Sequence, residues 1–279
     1  MAEPQKTNKK ALTLSQCIAQ RQREIRATGE FSAVIEQISL AGRVISEALG
    51  QAGLFNRIHD GTHRGLQNEW ERMDVFAKES FVQIFSRSPW VSALLLSEEL
   101  DMPNPVRNRD AGGKYIVFVD ALDGAPNLAV NGVVGSIFSV YRRKESGSSV
   151  TQDELLQKGA DQVAAGYIMY GPSTIMVYSS GDGLSGYTLD PGIGDFLCSQ
   201  DEIHIPERGV TYSCNEANCQ DWADHLTRYI EHLRRKDPKS DKYYASRYSG
   251  SLIADFHRTI LHGGIYICPG NMKDPVNPL

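Results

Sequence analysis

The sequence predicts a mixed protein, an α+β first part followed by a shorter α/β part, with the boundary near residue 200. Three observations carry this. Apolar residues at helical spacing come first, over Phe31 to Leu49 and again from Met73 to Ile84. Short β-branched and aromatic runs follow between Trp90 and Ser199, broken by Gly-Pro, Gly-Asp-Gly and Asp-Pro-Gly turns. From Glu202 the pattern changes to alternating strand and helix.

Each element has its own reason. Phe31, Val34, Ile35, Ile38, Ala41, Val44, Ile45 and Ala48 fall on one helical face, with Thr28 as the expected N-cap. Gly53 to Asn68 is polar and glycine-bearing and reads as a loop. Met73, Phe76, Ala77, Phe81 and Ile84 predict a second helix. Trp90–Leu96, Tyr115–Asp123 and Val133–Tyr141 predict strands, the first two separated by turn-rich residues 101–113. After a polar linker over 142–161 come strands at Val163–Tyr170, Thr174–Ser179, Gly186–Leu189 and Phe196–Ser199. The second part predicts a strand at Thr211–Cys214, helices through Trp222–Leu233 and Leu252–Ile260, and a final strand at Gly264–Cys268. A parallel strand is normally paired on both sides, and little sequence remains after Cys268 to do this.

Composition narrows the function. A formal net charge of −5 argues against a nucleic-acid footprint, which needs a basic face. No apolar stretch is long enough to cross a bilayer, and the Lys-bearing first fourteen residues lack the apolar run of a secretory signal. The five cysteines are scattered without zinc-site spacing, which reads as reduced thiols in a cytoplasmic protein.

The chemistry concentrates at two strand ends. One apolar run stops at Asp120-Ala121-Leu122-Asp123-Gly124; another runs into Ser97-Glu98-Glu99. If these strands are neighbours, four carboxylates meet at one edge, a costly arrangement unless cations neutralise it. All-oxygen clusters of this kind suit hard divalent ions such as Mg²⁺ or Mn²⁺. Taken alone, the same acids are equally consistent with solvated loop carboxylates.

Several ordered segments extend this reading: Ser97-Glu98-Glu99, Lys114-Tyr115, Asp120 to Gly124, Ala164 to Tyr167, Leu189-Asp190-Pro191, Asn215-Glu216, Arg247 to Ser251 and Asp255 with His257-Arg258-Thr259. With them the chain resembles class 1 fructose-1,6-bisphosphatase over roughly Thr28 to Pro269. The resemblance implies a layered α-β-α-β-α sugar-phosphatase fold with an incomplete C-terminal domain. It divides the chain into an AMP-type domain over residues 1–200 and a partial substrate domain over 201–279. It implies metal ligation by Glu98, Glu99, Asp120, Asp123 and the Leu122 carbonyl, and a catalytic pair, Asp74 and Glu99, that orients the attacking water. Substrate contacts fall on Asp123, Gly124, Asn215, Arg247 and Tyr248, the last three at the 6-phosphate. Thr28, Gly29, Glu30, Lys114, Tyr115 and Arg142 match an allosteric AMP site. A cytoplasmic homo-oligomer, a tetramer, is implied, in which the phosphate-binding arginine reaches a neighbouring subunit.

The chain departs from the family pattern near the chemistry. Ala125 and Pro126 stand where two phosphate-donating serines are expected. Ala121 replaces a proline, Asn68 a loop acid, Cys268 a tyrosine and Pro278 a phosphate-binding lysine. A last metal-binding glutamate and the final strands and helix of the family lie beyond Leu279. Two expectations follow: a metal-dependent bisphosphatase with impaired turnover, or an inactive paralogue that binds sugar phosphate or AMP as a regulatory subunit.

Overall fold

The structure is a computed structural model and describes residues 12–25, 29–51, 69–97, 112–144, 150–236 and 243–269. Seven strands form one sheet in chain order: β1 Val91–Leu96, β2 Tyr115–Asp123, β3 Val134–Arg142, β4 Gln162–Tyr170, β5 Thr174–Ser179, β6 Ser185–Asp190 and β7 Asp195–Gln200. From β2 onward every neighbour is antiparallel, because short turns return the chain alongside itself. Only β1 and β2 are parallel, with Leu96 opposite Val119. That register places the end of β1 level with Asp120.

One face of the sheet is covered by α1 Leu14–Ile25, α2 Glu30–Leu49 and α3 Glu69–Phe85. Val34, Ile35, Ile38, Ala41 and Ile45 of α2 are fully buried against Val117, Val140 and Ile168 of the strands. Gly42 permits this approach, since a Cβ there would collide with the Ile168 side chain. The cap of α2 is Gly29, in left-handed backbone at φ +83° with no side-chain capping bond. Thr28, the expected cap, lies outside the described residues, as does the loop expected over 53–68.

The opposite face receives α6 Leu252–His262, whose Ile253 and Ile260 pack on Tyr167 and Val177. Beyond α6 lies a second, three-stranded sheet in which β8 Thr211–Cys214 is central and parallel to both β9 Ala245–Ser246 and β10 Ile265–Ile267. Its outer face is closed by α5 Asp224–Leu233, with Trp222, Ile230 and Leu233 on Tyr212 and Cys214. Five layers result, α-β-α-β-α. Among the described residues β10 pairs with β8 alone and is an edge strand.

Two segments differ from the sequence reading. Leu14–Ile25 is a helix that was not expected; Leu14, Cys17 and Ile18 are buried, and Thr13 forms a bridge to Leu197 on β7. The supposed linker over 142–161 contains α4 Gln152–Leu155, started by a Thr151–Glu154 capping box. Glu154 there closes a buried ion pair with Arg143, whose Nη1 also reaches the Ser92 hydroxyl.

Candidate active site

β2 ends in a bulge. Asp120 lies opposite Ile137 while Asp123 lies opposite Gly135, so β2 carries one residue more than its partner. In an unbroken strand, residues three apart face opposite sides of the sheet. The extra residue re-aims the strand end, and the Asp120 and Asp123 carboxylates act on each other electrostatically. Burial pushes the Asp120 carboxyl up to about 6, with Asp123 and then Asp74 adding repulsion; the Leu122 N–H and Lys78 oppose the rise.

Burial also raises the Asp123 pKa, against which three donors at the start of α6 hold it down. The Ser251 hydroxyl donates to Asp123 Oδ2 at 3.1 Å, and the Ile253 N–H donates to the same oxygen at 3.2 Å. A carboxylate against the first turn of a helix is favoured by the free N–H groups there. Asp123 therefore docks the large sheet onto α6, with Oδ2 receiving the Ser251 and Ile253 bonds.

Gly124 follows in left-handed backbone at φ +71°, and a Cβ added to it would lie 2.9 Å from Ser251 Cβ. Both facts require glycine at this position. The next residues, Ala125–Val130, form a short 3-10 helix with Pro126 in its first turn and Ala125 buried. Asn127 turns back from this helix, donating through Nδ2 to the Val133 and Ser249 carbonyls at 3.3 and 3.2 Å.

Asp74 sits in the second turn of α3 rather than at its start, ion-paired to Lys78 at 2.6 Å. Its charge is felt at Asp120. Glu98 and Glu99, expected beside it, lie outside the described residues.

Across the site, Asn215 directly follows β8, and its Oδ1 accepts the Ala217 N–H at 3.1 Å. Tyr248 is hydrogen-bonded to Asn215; burial raises the Tyr248 pKa, with Cys268 next among the causes. Arg247 is exposed, and among the described residues its guanidinium bonds to the Ser246 carbonyl through Nη1, leaving most of its planar fork of donors open there. Asn215 and Tyr248 are thus brought together, with Arg247 adjacent on the same segment.

Five of the six residues matched to an AMP site also meet. Lys114 Nζ contacts both Glu30 oxygens at 2.7 and 2.8 Å. Tyr115 lies opposite Arg142 in the sheet, and Gly29 caps α2 directly before Glu30. Burial raises the Tyr115 pKa, with Arg142 lowering it, Glu30 raising it and Lys114 lowering it in turn. Thr28 lies outside the described residues.

Sequence reasoning missed the partners that hold these residues, above all Ser251 and Asn127. Ser251 had a legible signal, a serine immediately before an apolar helical run, which is an N-cap pattern. Its hydroxyl also accepts the Ala254 N–H at 3.4 Å. Asn127 had none for its bond to Ser249, which is 122 residues away. A cavity of about 590 Å³ also opens beside Asp120, between the sheet and α6. Phe118, Ile137, Ile253 and Phe256 make its lining mostly apolar, unsuited to a doubly phosphorylated sugar.

Five layers, with paired acids on one strand tip and an exposed guanidinium beside a tyrosine on a neighbouring segment, suit the hydrolysis of phosphate monoesters. The model of the "Fructose-1-6-bisphosphatase, N-terminal domain" matches residues 12–201, and that of the C-terminal domain matches 205–279. The chain belongs to the class 1 fructose-1,6-bisphosphatase family, whose members depend in general on metal ions. It is 39% identical over 270 residues to the enzyme of that name from Cytophaga hutchinsonii, covering 96% of this chain and 78% of the relative. The enzyme from a Synechococcus strain is 40% identical over 271 residues, covering 96% and 80%. Leishmania major fructose-1,6-bisphosphatase in its T-state superposes with a TM-score of 0.83 at 31% identity, covering 96% of this chain and 81% of that one. Its holo form gives 0.79, covering 94% and 78% at the same identity.

Proposed function

We propose that the chain hydrolyses the 1-phosphate of fructose 1,6-bisphosphate with Mg²⁺ or Mn²⁺. The observation that carries this is the bulged end of β2. It carries two carboxylates on one buried strand tip, where burial first and the Asp123 charge second raise the Asp120 pKa to about 6, a cost that a divalent cation offsets. The donors are hard oxygens, as such a cation needs. Asp120, the Leu122 carbonyl, Asp123, and Glu98 and Glu99 would hold it. When bound, it supplies positive charge to the phosphoryl oxygens and acidifies coordinated water.

The chain's own residues do the rest. Asp74 and Glu99 accept hydrogen bonds from the attacking water and orient it. Gly124 contacts the substrate beside Asp123. Asn215, Arg247 and Tyr248 hold the 6-phosphate, the arginine by parallel N–H donors. In this reading residues 1–200 are the AMP-type domain, with Thr28, Gly29, Glu30, Lys114, Tyr115 and Arg142 receiving AMP, and 201–279 carry the substrate. The protein works in the cytoplasm as a homotetramer. Phosphate release from fructose 1,6-bisphosphate with Mg²⁺ or Mn²⁺ tests the proposal; no release above background at high protein concentration overturns it.

One observation favours weak turnover. Ala125 offers no hydroxyl, and Pro126 offers neither a hydroxyl nor a backbone N–H, directly after Gly124. Loss of one preorganised donor costs about 3–4 kcal/mol in transition states of this polarity.

A further inference from the structure

Asp255, on α6, is a buried acid to which the reaction assigns no part. It is 1% exposed, and both its oxygens are engaged. Oδ2 accepts from the Ser213 hydroxyl at 2.8 Å and from the Ser249 N–H at 2.9 Å. Oδ1 accepts from Arg258 Nη1 at 2.8 Å. The same Arg258 nitrogen donates to the Arg247 carbonyl at 3.1 Å. The backbone on both sides of Tyr248 is therefore fixed to one carboxylate, directly at Ser249 and through Arg258 at Arg247. The far end of the segment is tied to the large sheet, by Asn127 on the Ser249 carbonyl and by Ser251 on Asp123.

A buried charge is expensive to keep. If holding α6 in place were the whole task, apolar packing such as that of Ile253 and Ile260 would meet it. Two of these bonds instead end on the short segment that presents Arg247 and Tyr248, one at the Ser249 N–H and one at the Arg247 carbonyl. We infer that Asp255 is a positioning residue: with Arg258 it fixes the backbone that carries Arg247 and Tyr248, and so sets the distance between Tyr248 and the Asp123 strand tip across which a sugar bisphosphate binds. This rests on the reading of Arg247 and Tyr248 as phosphate-binding residues.

The test uses Asp255→Asn, Arg258→Gln and the double variant in the full chain. Arg258→Gln keeps the Ser213 and Ser249 bonds, so it serves if Asp255→Asn fails to fold. Steady-state phosphate release is measured beside calorimetric binding of fructose 1,6-bisphosphate without metal, and melting is followed by circular dichroism. The expected result for each single variant is a KM and a dissociation constant about tenfold higher, with kcat within about twofold. The double variant is expected to be no worse than the more affected single one, because the two residues act as a unit. Unchanged affinity with a lowered melting temperature overturns the inference, since that is what a purely structural acid gives. Binding without turnover in the unmodified chain overturns the hydrolase reading alone, and the affinities then decide the inference. No binding by the unmodified chain overturns both.

Discussion

The Ser251 hydroxyl donates to the Asp123 carboxylate at 3.1 Å across 128 residues of sequence. This contact joins the tip of β2 to the first turn of α6 and places the acid-bearing strand against the segment that carries Arg247 and Tyr248. The same hydroxyl caps α6 through the Ala254 N–H. One side chain thus serves helix start, domain contact and active-site acid.

Replacing Ser251 with alanine removes the cap and one of the donors to Asp123. Stability is expected to fall by about 1–2 kcal/mol in urea titrations. The Asp123 pKa, already raised by burial, is expected to rise further. The acid limb of the pH–rate profile then moves to higher pH, which a kcat/KM profile measures.

Gly124→Ala puts a Cβ against Ser251 in backbone that disfavours side chains. A cost of about 1–3 kcal/mol from the backbone conformation is expected, with the steric contact adding to it. Either the tip of β2 or the start of α6 must shift, so phosphate release should fall even in folded protein. Denaturant titration and a phosphate assay on the same preparation check this.

Ala125→Ser with Pro126→Ser restores two hydroxyls and one backbone N–H beside Gly124. Turnover is expected to rise at least about tenfold, since each well-placed donor contributes about 3–4 kcal/mol at best. Equal kcat values for the double variant and the unmodified chain count against weak turnover arising from these two positions.

Asp120 makes stability depend on pH. Its folded pKa of about 6 lies above the ordinary carboxyl value of 3.8. Below 3.8 both folded and unfolded states hold the proton and no penalty exists. As pH rises through the window from 3.8 to 6, the unfolded state ionises first and the folded state loses stability. Above 6 the full penalty is present, so Asp120→Asn should stabilise the metal-free protein at pH 7.5 by about 1–3 kcal/mol and change nothing at pH 3.5. Adding Mg²⁺ or Mn²⁺ at pH 7.5 should raise the melting temperature of the unmodified protein and barely move that of the variant.

Arg143 and Glu154 pair at 3.1 Å with almost no solvent exposure. Glu154→Ala leaves the guanidinium buried and removes the capping box of α4, so a loss of about 3–5 kcal/mol is expected. The loss should appear in the unfolding free energy while phosphate release per folded molecule stays unchanged.

Much of the fold was legible because its signals are local. The α2 stripe, the alternation of turns with strands after Val133 and the Leu252–Ile260 period all report a face that must be buried. Leu14–Ile25 escaped because Leu14, Cys17 and Ile18 are too few to make a stripe; its burial depends on β7, which lies far along the chain. The helix inside the supposed linker was readable in principle, since Thr151-Gln-Asp-Glu154 has capping-box spacing. The site divides in the same way. Asp120 and Asp123 stood out by sequence alone, and Ser251 was readable as a helix cap, whereas its bond to Asp123, the bond of Asn127 to Ser249 and that of Arg258 to Arg247 are contacts that no spacing encodes.

The sequence by itself determined most of the segments that become strands and helices, which acids end a buried strand, and to which family the chain belongs. Only the tertiary structure decided that β1 and β2 lie parallel and in register, that Asp123 has one oxygen committed to α6, and that Tyr248 hangs between two tethers to Asp255. The physical reason is range. Periodicity and capping are properties of neighbouring residues, but a bond across more than a hundred positions exists only after loop closure has brought its partners together.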